Sequence, residues 1–281
     1  MILENISKQY RVIRLLRQGN GFQSYLCSYA GRQWIAVCLD APLTELLFPY
    51  FEDLEEGQTF EDLEDIFSWR EGLVVILACH SMDHSLKDIR QEEDASYLEK
   101  LQIMGEILTG FCVREVPLGI AADLLASGNA GMCTDGVAGA FYDLETPERY
   151  PSCTMEQFIQ VWCQEIELLF SHEIQLRQAR ELVDFCQRQR MDPPGSMLEL
   201  YERFLPVKES LEEQIKQGKF QTDSRSVQAW TTVKKMAAVV KKLLVAGVLI
   251  AAIVLLLSQL WQSSDLGKPA FPSIGTVTLQ S

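Results

Sequence analysis

Through most of the first eighty residues the apolar positions fall in short runs separated by turn residues. "YRVIRLLRQ", "FQSYLCSYA" and "RQWIAVCLD" are rich in β-branched and aromatic residues and predict three strands. Gly19-Asn20-Gly21 separates the first pair and Gly31 the second. "APLTELLFPYFEDLEE" predicts a short helical or irregular stretch. "LEDIFSWREGLVVILACH" predicts a fourth and a fifth strand that turn at Arg70-Glu71-Gly72. Beyond residue 84 the period changes. "SLKDIRQ" reads as a short helix. In "SYLEKLQIMGEILTGFCV", Leu98, Leu101, Ile103, Met104, Ile107, Leu108 and Phe111 recur at helical spacing. Ser96 with Glu99 three residues on predicts a capping box at its start. Asp135-Gly136 between apolar arms predicts a β-hairpin, and helical runs then cover 154–171, 172–190 and 195–217. The fold class expected is α+β, with an antiparallel β half followed by a mainly helical half.

One stretch has no polar face at all. "LLVAGVLIAAIVLLLSQLW", Leu243–Trp261, is uncharged and almost wholly apolar. At about 1.5 Å per residue it spans about 28 Å, close to the hydrocarbon thickness of a bilayer, and predicts a transmembrane helix. Lys234, Lys235, Lys241 and Lys242 precede it and only Lys268 follows. The positive-inside rule then places the chain before it in the cytoplasm. The expected organisation is a cytoplasmic domain at 1–216, a hinge and juxtamembrane helix at 217–242, the membrane helix at 243–261 and a short extracytoplasmic tail at 262–281. Gly247 and Ala251 lie four apart on one face of the membrane helix, a small-xxx-small pair that suits a homodimer.

Charge narrows the partners. The chain carries −14 overall, and residues 1–225 hold 20 basic against 38 acidic side chains. A phosphate backbone needs a basic face, so nucleic acid is not an expected partner. The expected partners are the membrane and cytoplasmic proteins. The eight cysteines (27, 38, 79, 112, 133, 153, 163 and 186) form no C-x-x-C pair, and His80, His84 and His172 flank none. No metal site and no cofactor are expected on that spacing. The cysteines lie mostly in apolar runs and read as small buried hydrophobes in a reducing compartment. "MILENISKQY" has no apolar core of signal-peptide length. His80 and His84 read as surface or hinge histidines.

Four short motifs invite comparison with one large family. "LRQGNGFQSYL" is similar to the glycine-rich strand–turn–strand of protein kinases, with Arg17, Gly19 and Phe22 at the three glycine positions. "WIAVCLD" resembles the strand V-A-I-K, with Cys38 at the lysine position. "IAADLLASGN" lies where the catalytic loop H-R-D-L-x-x-x-N stands. Asp123-Leu124 matches, His-Arg reads Ala121-Ala122, and Asn129 comes one residue late. "TDGVAGAFYDLE" ends where Asp-Phe-Gly stands, with Asp143 followed by Leu144 and Glu145. The layout over about residues 9–215 therefore resembles a two-lobed protein kinase whose charge-neutralising site is degenerate at Cys38, Asp123, Asn129 and Asp143. With the membrane helix added, it looks like the pseudokinase component of bacterial type VII secretion, the EssB/YukC type. Members of that family carry a substantial extracytoplasmic domain, whereas twenty residues follow Trp261 here. The resemblance implies a catalytically inactive, membrane-anchored scaffold that binds proteins. The alternatives are an atypical membrane-bound Ser/Thr kinase that still uses Asp123 and Asp143, and a transmembrane sensor.

Overall fold

The alternating runs form antiparallel strands and the periodic runs form helices in the computed structural model, which describes residues 1–91, 95–171 and 177–217. The fold is α+β. Strands β1 (Ile2–Glu4), β2 (Gln9–Gln18), β3 (Phe22–Tyr29), β4 (Arg32–Leu39), β5 (Leu63–Trp69) and β6 (Gly72–Ala78) make one sheet in the order β1-β2-β3-β4-β6-β5. Helix α1 (Ala41–Gly57) enters between β4 and β5. A second sheet joins β7 (Met82–Ser85), β8 (Ala130–Cys133) and β9 (Ala138–Ala140) in that order. Between β7 and β8 run α2 (Leu86–Gln91), α3 (Tyr97–Val113) and α4 (Leu118–Ser127). After β9 come a 3-10 turn (Pro147–Ser152), α5 (Met155–Leu169), α6 (Arg177–Met191) and α7 (Met197–Lys216).

Two expectations change, and two strands are added. Residues 41–57 form a full helix rather than a short or irregular piece; Pro42 stands in its first turn, where no N–H partner is needed, and the helix continues through Pro49. Residues 118–127, aligned with a catalytic loop, are helical and end at Gly128 with φ 74°. The strands β1 and β7 have no period long enough to read and exist through pairing: Leu3 opposite Tyr10, and Met82 opposite Cys133.

The large sheet is curled until its two edges meet. The Asn5 side-chain amide donates to Asp65 Oδ2 at 2.5 Å, and Lys8 Nζ lies 2.7 Å from Glu64 Oε1. Tyr10 stacks on Phe67 at 6.2 Å. The curl encloses a small core of Leu3, Tyr10, Cys27, Ala36, Cys38, Val74 and Ile76. The other face of the same strands, through Ile35, Val37, Leu39 and Val75, packs on Leu47 and Phe51 of α1. That second core continues without a break into the helical half, through Leu101, Met104, Leu108, Trp162 and Phe204. Both α3 and α5 start on capping boxes, Ser96 with Glu99 and Thr154 with Gln157.

The described residues all fall within one compact unit, Met1–Thr222. The hinge beyond Gln217, the span Leu243–Trp261, the pair Gly247 and Ala251 and the tail lie outside the described residues. Among the described residues no helix is long and apolar enough to cross a membrane.

Candidate functional site

The site forms where β2 and the segment after β9 approach each other. Beyond Ala140 the chain is held locally. Phe141 N donates to Asn129 O at 2.8 Å, Asp143 N donates to Phe141 O at 2.8 Å, and Asn129 Nδ2 donates to Asp143 O at 3.1 Å. These bonds fix the Asp143 backbone, and its carboxylate meets Arg17 near the end of β2. Arg17 Nε donates to Oδ1 at 3.0 Å and Nη2 to Oδ2 at 3.1 Å, a bidentate pair. The same Nη2 lies 2.8 Å from Glu145 Oε1. The hydrogen bond to Asp143 raises the Arg17 pKa further, against burial, which lowers it. One guanidinium thus serves two carboxylates, and both Asp143 oxygens are engaged.

Asp123 takes a different part. It sits on α4, 7% exposed, and its carboxylate points at the backbone that follows Asp143. Its Oδ2 accepts from Glu145 N at 2.7 Å, Thr146 N at 3.1 Å and Tyr150 Oη at 2.6 Å. Its Oδ1 accepts from Thr146 Oγ1 at 3.3 Å. Burial, and then the Asp123 charge, push the Tyr150 phenol well above its usual value, so it stays a donor. Asp123 therefore organises the segment 145–150 from the C-terminal side of Asp143.

A third carboxylate ties the residue before Asp143 to the large sheet. Asp62, 4% exposed, accepts from Tyr142 Oη at 2.5 Å and from Arg114 Nη1 at 2.8 Å, and His80 Nε2 lies 3.0 Å away. Burial pushes this carboxyl up, but the hydrogen bonds from His80 and Tyr142 and the Arg114 charge more than offset it, and its pKa is lowered. Burial and then Asp62 push the Tyr142 phenol well above its usual range. His80 is thus a member of a largely buried network rather than a surface histidine, while His84 is exposed.

Of the four positions aligned with kinase motifs, the structure joins some and separates another. Asn129 and Asp143 are in contact, and Asp123 reaches the backbone two residues beyond Asp143. Cys38 belongs to the core inside the curl, on the sheet face opposite α1, so its thiol does not share the face that bears Arg17. Burial pushes that thiol up to about 12. At the turn after β2, the Phe22 ring lies 2.0 Å from where a Cβ on Gly19 would sit. An aromatic ring thus fills the space beneath the turn that a glycine-rich loop keeps open for phosphates. With this ring and with Arg17 on both Asp143 oxygens, the residues do not fit magnesium and a nucleoside triphosphate. Among the described residues no group of three or more His, Cys, Asp or Glu side chains is placed to hold a metal. Arg17, Asp62 and Tyr142 are the partners that motif spacing does not reveal. Their only signal in the sequence is an arginine at a glycine position and an acid just before β5. No protein-family model and no curated protein matches the chain.

Proposed function

We propose that the chain is a catalytically inactive, kinase-like scaffold, anchored in a membrane by Leu243–Trp261, whose cytoplasmic domain binds other proteins. The observation that carries this reading is the pairing of Arg17 with Asp143 and Glu145. Phosphoryl transfer needs free carboxylates for metal and a cation at the phosphates. Here the cation sits on the carboxylates, and the bidentate pair occupies both Asp143 oxygens. The element order supports the kinase-like part: an antiparallel sheet with one helix inserted, then helices, then a hairpin that ends near Asp143. The association with type VII secretion rests on layout alone, and a gene neighbourhood without a secretion ATPase would count against it.

The test is a thermal melt of the purified full-length chain in detergent, with and without magnesium and ATP. A ligand at a hundred times its dissociation constant stabilises by about 2.7 kcal/mol. The expected result is no shift and no phosphate incorporation. A shift of that size which Asp143→Ala abolishes would establish the atypical kinase instead.

A further inference from the structure

The sequence of β2 spaces three arginines three apart, at 11, 14 and 17, a period that fits neither strand face. The structure resolves the mismatch. Irregularities between Val12 and Arg14 and between Leu15 and Arg17 each absorb one residue. Arg11, Arg14 and Arg17 then stand opposite Ser28, Leu26 and Ser24, which alternate along β3 and share one face. Val12 and Leu15 stand opposite Cys27 and Tyr25, on the other face. Two bulges thus convert a three-residue repeat into an arginine ladder with the rung spacing of an extended strand.

One rung is in use: Arg17 holds Asp143 and Glu145. Arg11 and Arg14 are exposed and make no ion pair with any described residue. Among the described residues the edge beside them is open. The strand β1 covers β2 only from Gln9 to Arg11, so no described strand pairs with Ile13 to Gln18 on that side. Ile13 and Leu15 lie exposed along this edge, at 52% and 48%. The surrounding charge isolates the ladder. Residues 1–40 hold five basic and two acidic side chains, whereas residues 41–225 hold fifteen and thirty-six.

We propose that the outer edge of β2 is a docking site for an extended acidic segment of a partner protein, with carboxylates at alternate positions on Arg11 and Arg14 and apolar residues against Ile13 and Leu15. Arg17 already shows the chemistry in cis. The ladder selects alternate carboxylates because its rungs repeat every second residue of the neighbouring strand. The apolar contacts lie off the arginine face, which suits a strand laid along the edge better than a flat lipid surface. A second copy is disfavoured at this edge, because two copies of β2 would bring like charges together. The site extends the scaffold reading by naming where a partner binds, and it stands or falls separately from the loss of phosphoryl transfer.

The probe is an eight-residue peptide alternating Glu with Val, titrated into the full-length chain in neutral detergent and followed by fluorescence anisotropy and amide hydrogen exchange. The expected result is binding that slows exchange across Ile13 to Gln18 at least tenfold. The double variant Arg11→Glu, Arg14→Glu weakens the peptide at least tenfold, and a peptide of four Glu followed by four Val binds more weakly to wild type. Far-ultraviolet dichroism and an unchanged melt establish that the variant is folded. Equal affinity in the variant and wild type, or no binding at millimolar peptide, overturns the proposal. Binding of anionic lipid vesicles without binding of the peptide overturns it in favour of a membrane surface. Salt-sensitive self-association that the double variant abolishes, with no peptide binding, overturns it in favour of a second copy.

Discussion

A carboxylate that is 4% exposed must be hydrogen-bonded or it takes up a proton. Asp62 meets that demand with Tyr142, His80 and Arg114, which come from three separate parts of the chain. Replacing it with Asn keeps the shape but removes the charge that faces Arg114. Breaking such a buried pair costs about 3 kcal/mol near neutral pH. The pH dependence has a definite sign. The folded pKa of Asp62 is lowered, so its contribution is complete above the unfolded value and is lost as the pH falls through the folded one. In urea titrations the stability gap between wild type and Asp62→Asn should hold from neutral pH to about pH 5, narrow below about pH 4 and close only beneath the lowered folded value. A gap that persists in acid would show that packing, not charge, is lost. None of this was legible beforehand. The alignment marked Asp143 because its neighbours carry a motif, whereas Asp62, Tyr142 and Arg114 belong to no spacing pattern. Arg17 stood out only as a missing glycine, and its partner lies 126 residues away.

Elements were legible where local chemistry decides them. The periodic apolar run and the Ser96 box place α3, and Asp135-Gly136 places the turn between β8 and β9, where Gly136 has φ 77°. Elements decided by neighbours were not. Helix α4 replaces a loop, and its Gly119 lies so close to the 3-10 turn that a Cβ would meet Tyr150 Cα at 2.5 Å. The same contrast predicts the ranking of two substitutions. Ser96→Ala removes one cap and should cost about 1 kcal/mol. Gly72→Ala places a methyl 2.1 Å from the Leu39 carbonyl oxygen, in the pairing of β4 with β6. That pairing must open, so the cost should exceed about 2 kcal/mol, and the order is read from guanidinium unfolding midpoints. If Ser96→Ala proved the more damaging, close packing of β4 on β6 would not govern the sheet's stability.

The core that faces α1 runs unbroken from Ile35 on β4 to Phe204 on α7, so the sheet and the helices should unfold in one transition. The buried thiols report it. Cys38 lies inside the curl and Cys186 is fully buried in the helical half, and both are free. Burial raises both thiols, so neither reacts readily while folded. The second is pushed up first by its hydrogen bond with Cys163 and then by burial. In a denaturant series with a thiol reagent, Cys38 and Cys186 should become reactive at the same midpoint. Earlier labelling of Cys38 would mean that the curled sheet opens alone. The reagent also tests orientation: a membrane-impermeant form applied to intact cells should label a Ser281→Cys variant and spare the native cysteines, and the reverse pattern would invert the proposed topology.

The length of chain between the two ends of the Arg17 pair sets an order on biosynthesis. A ribosome delivers residues in sequence, so β1 to β6 and the seam from Asn5 to Asp65 are available long before Asp143 emerges. During that interval Arg17 has neither Asp143 nor Glu145 beside it, and the nascent β2 segment offers three free arginines instead of two. Later synthesis withdraws one of them. An acidic partner that arrives early therefore competes with the chain's own completion, and crosslinking of the alternating peptide to ribosome-bound chains stalled before and after residue 143 separates the two states. Stronger capture before that point would make the bidentate pair a timer for partner loading; equal capture would leave it a plain structural tie.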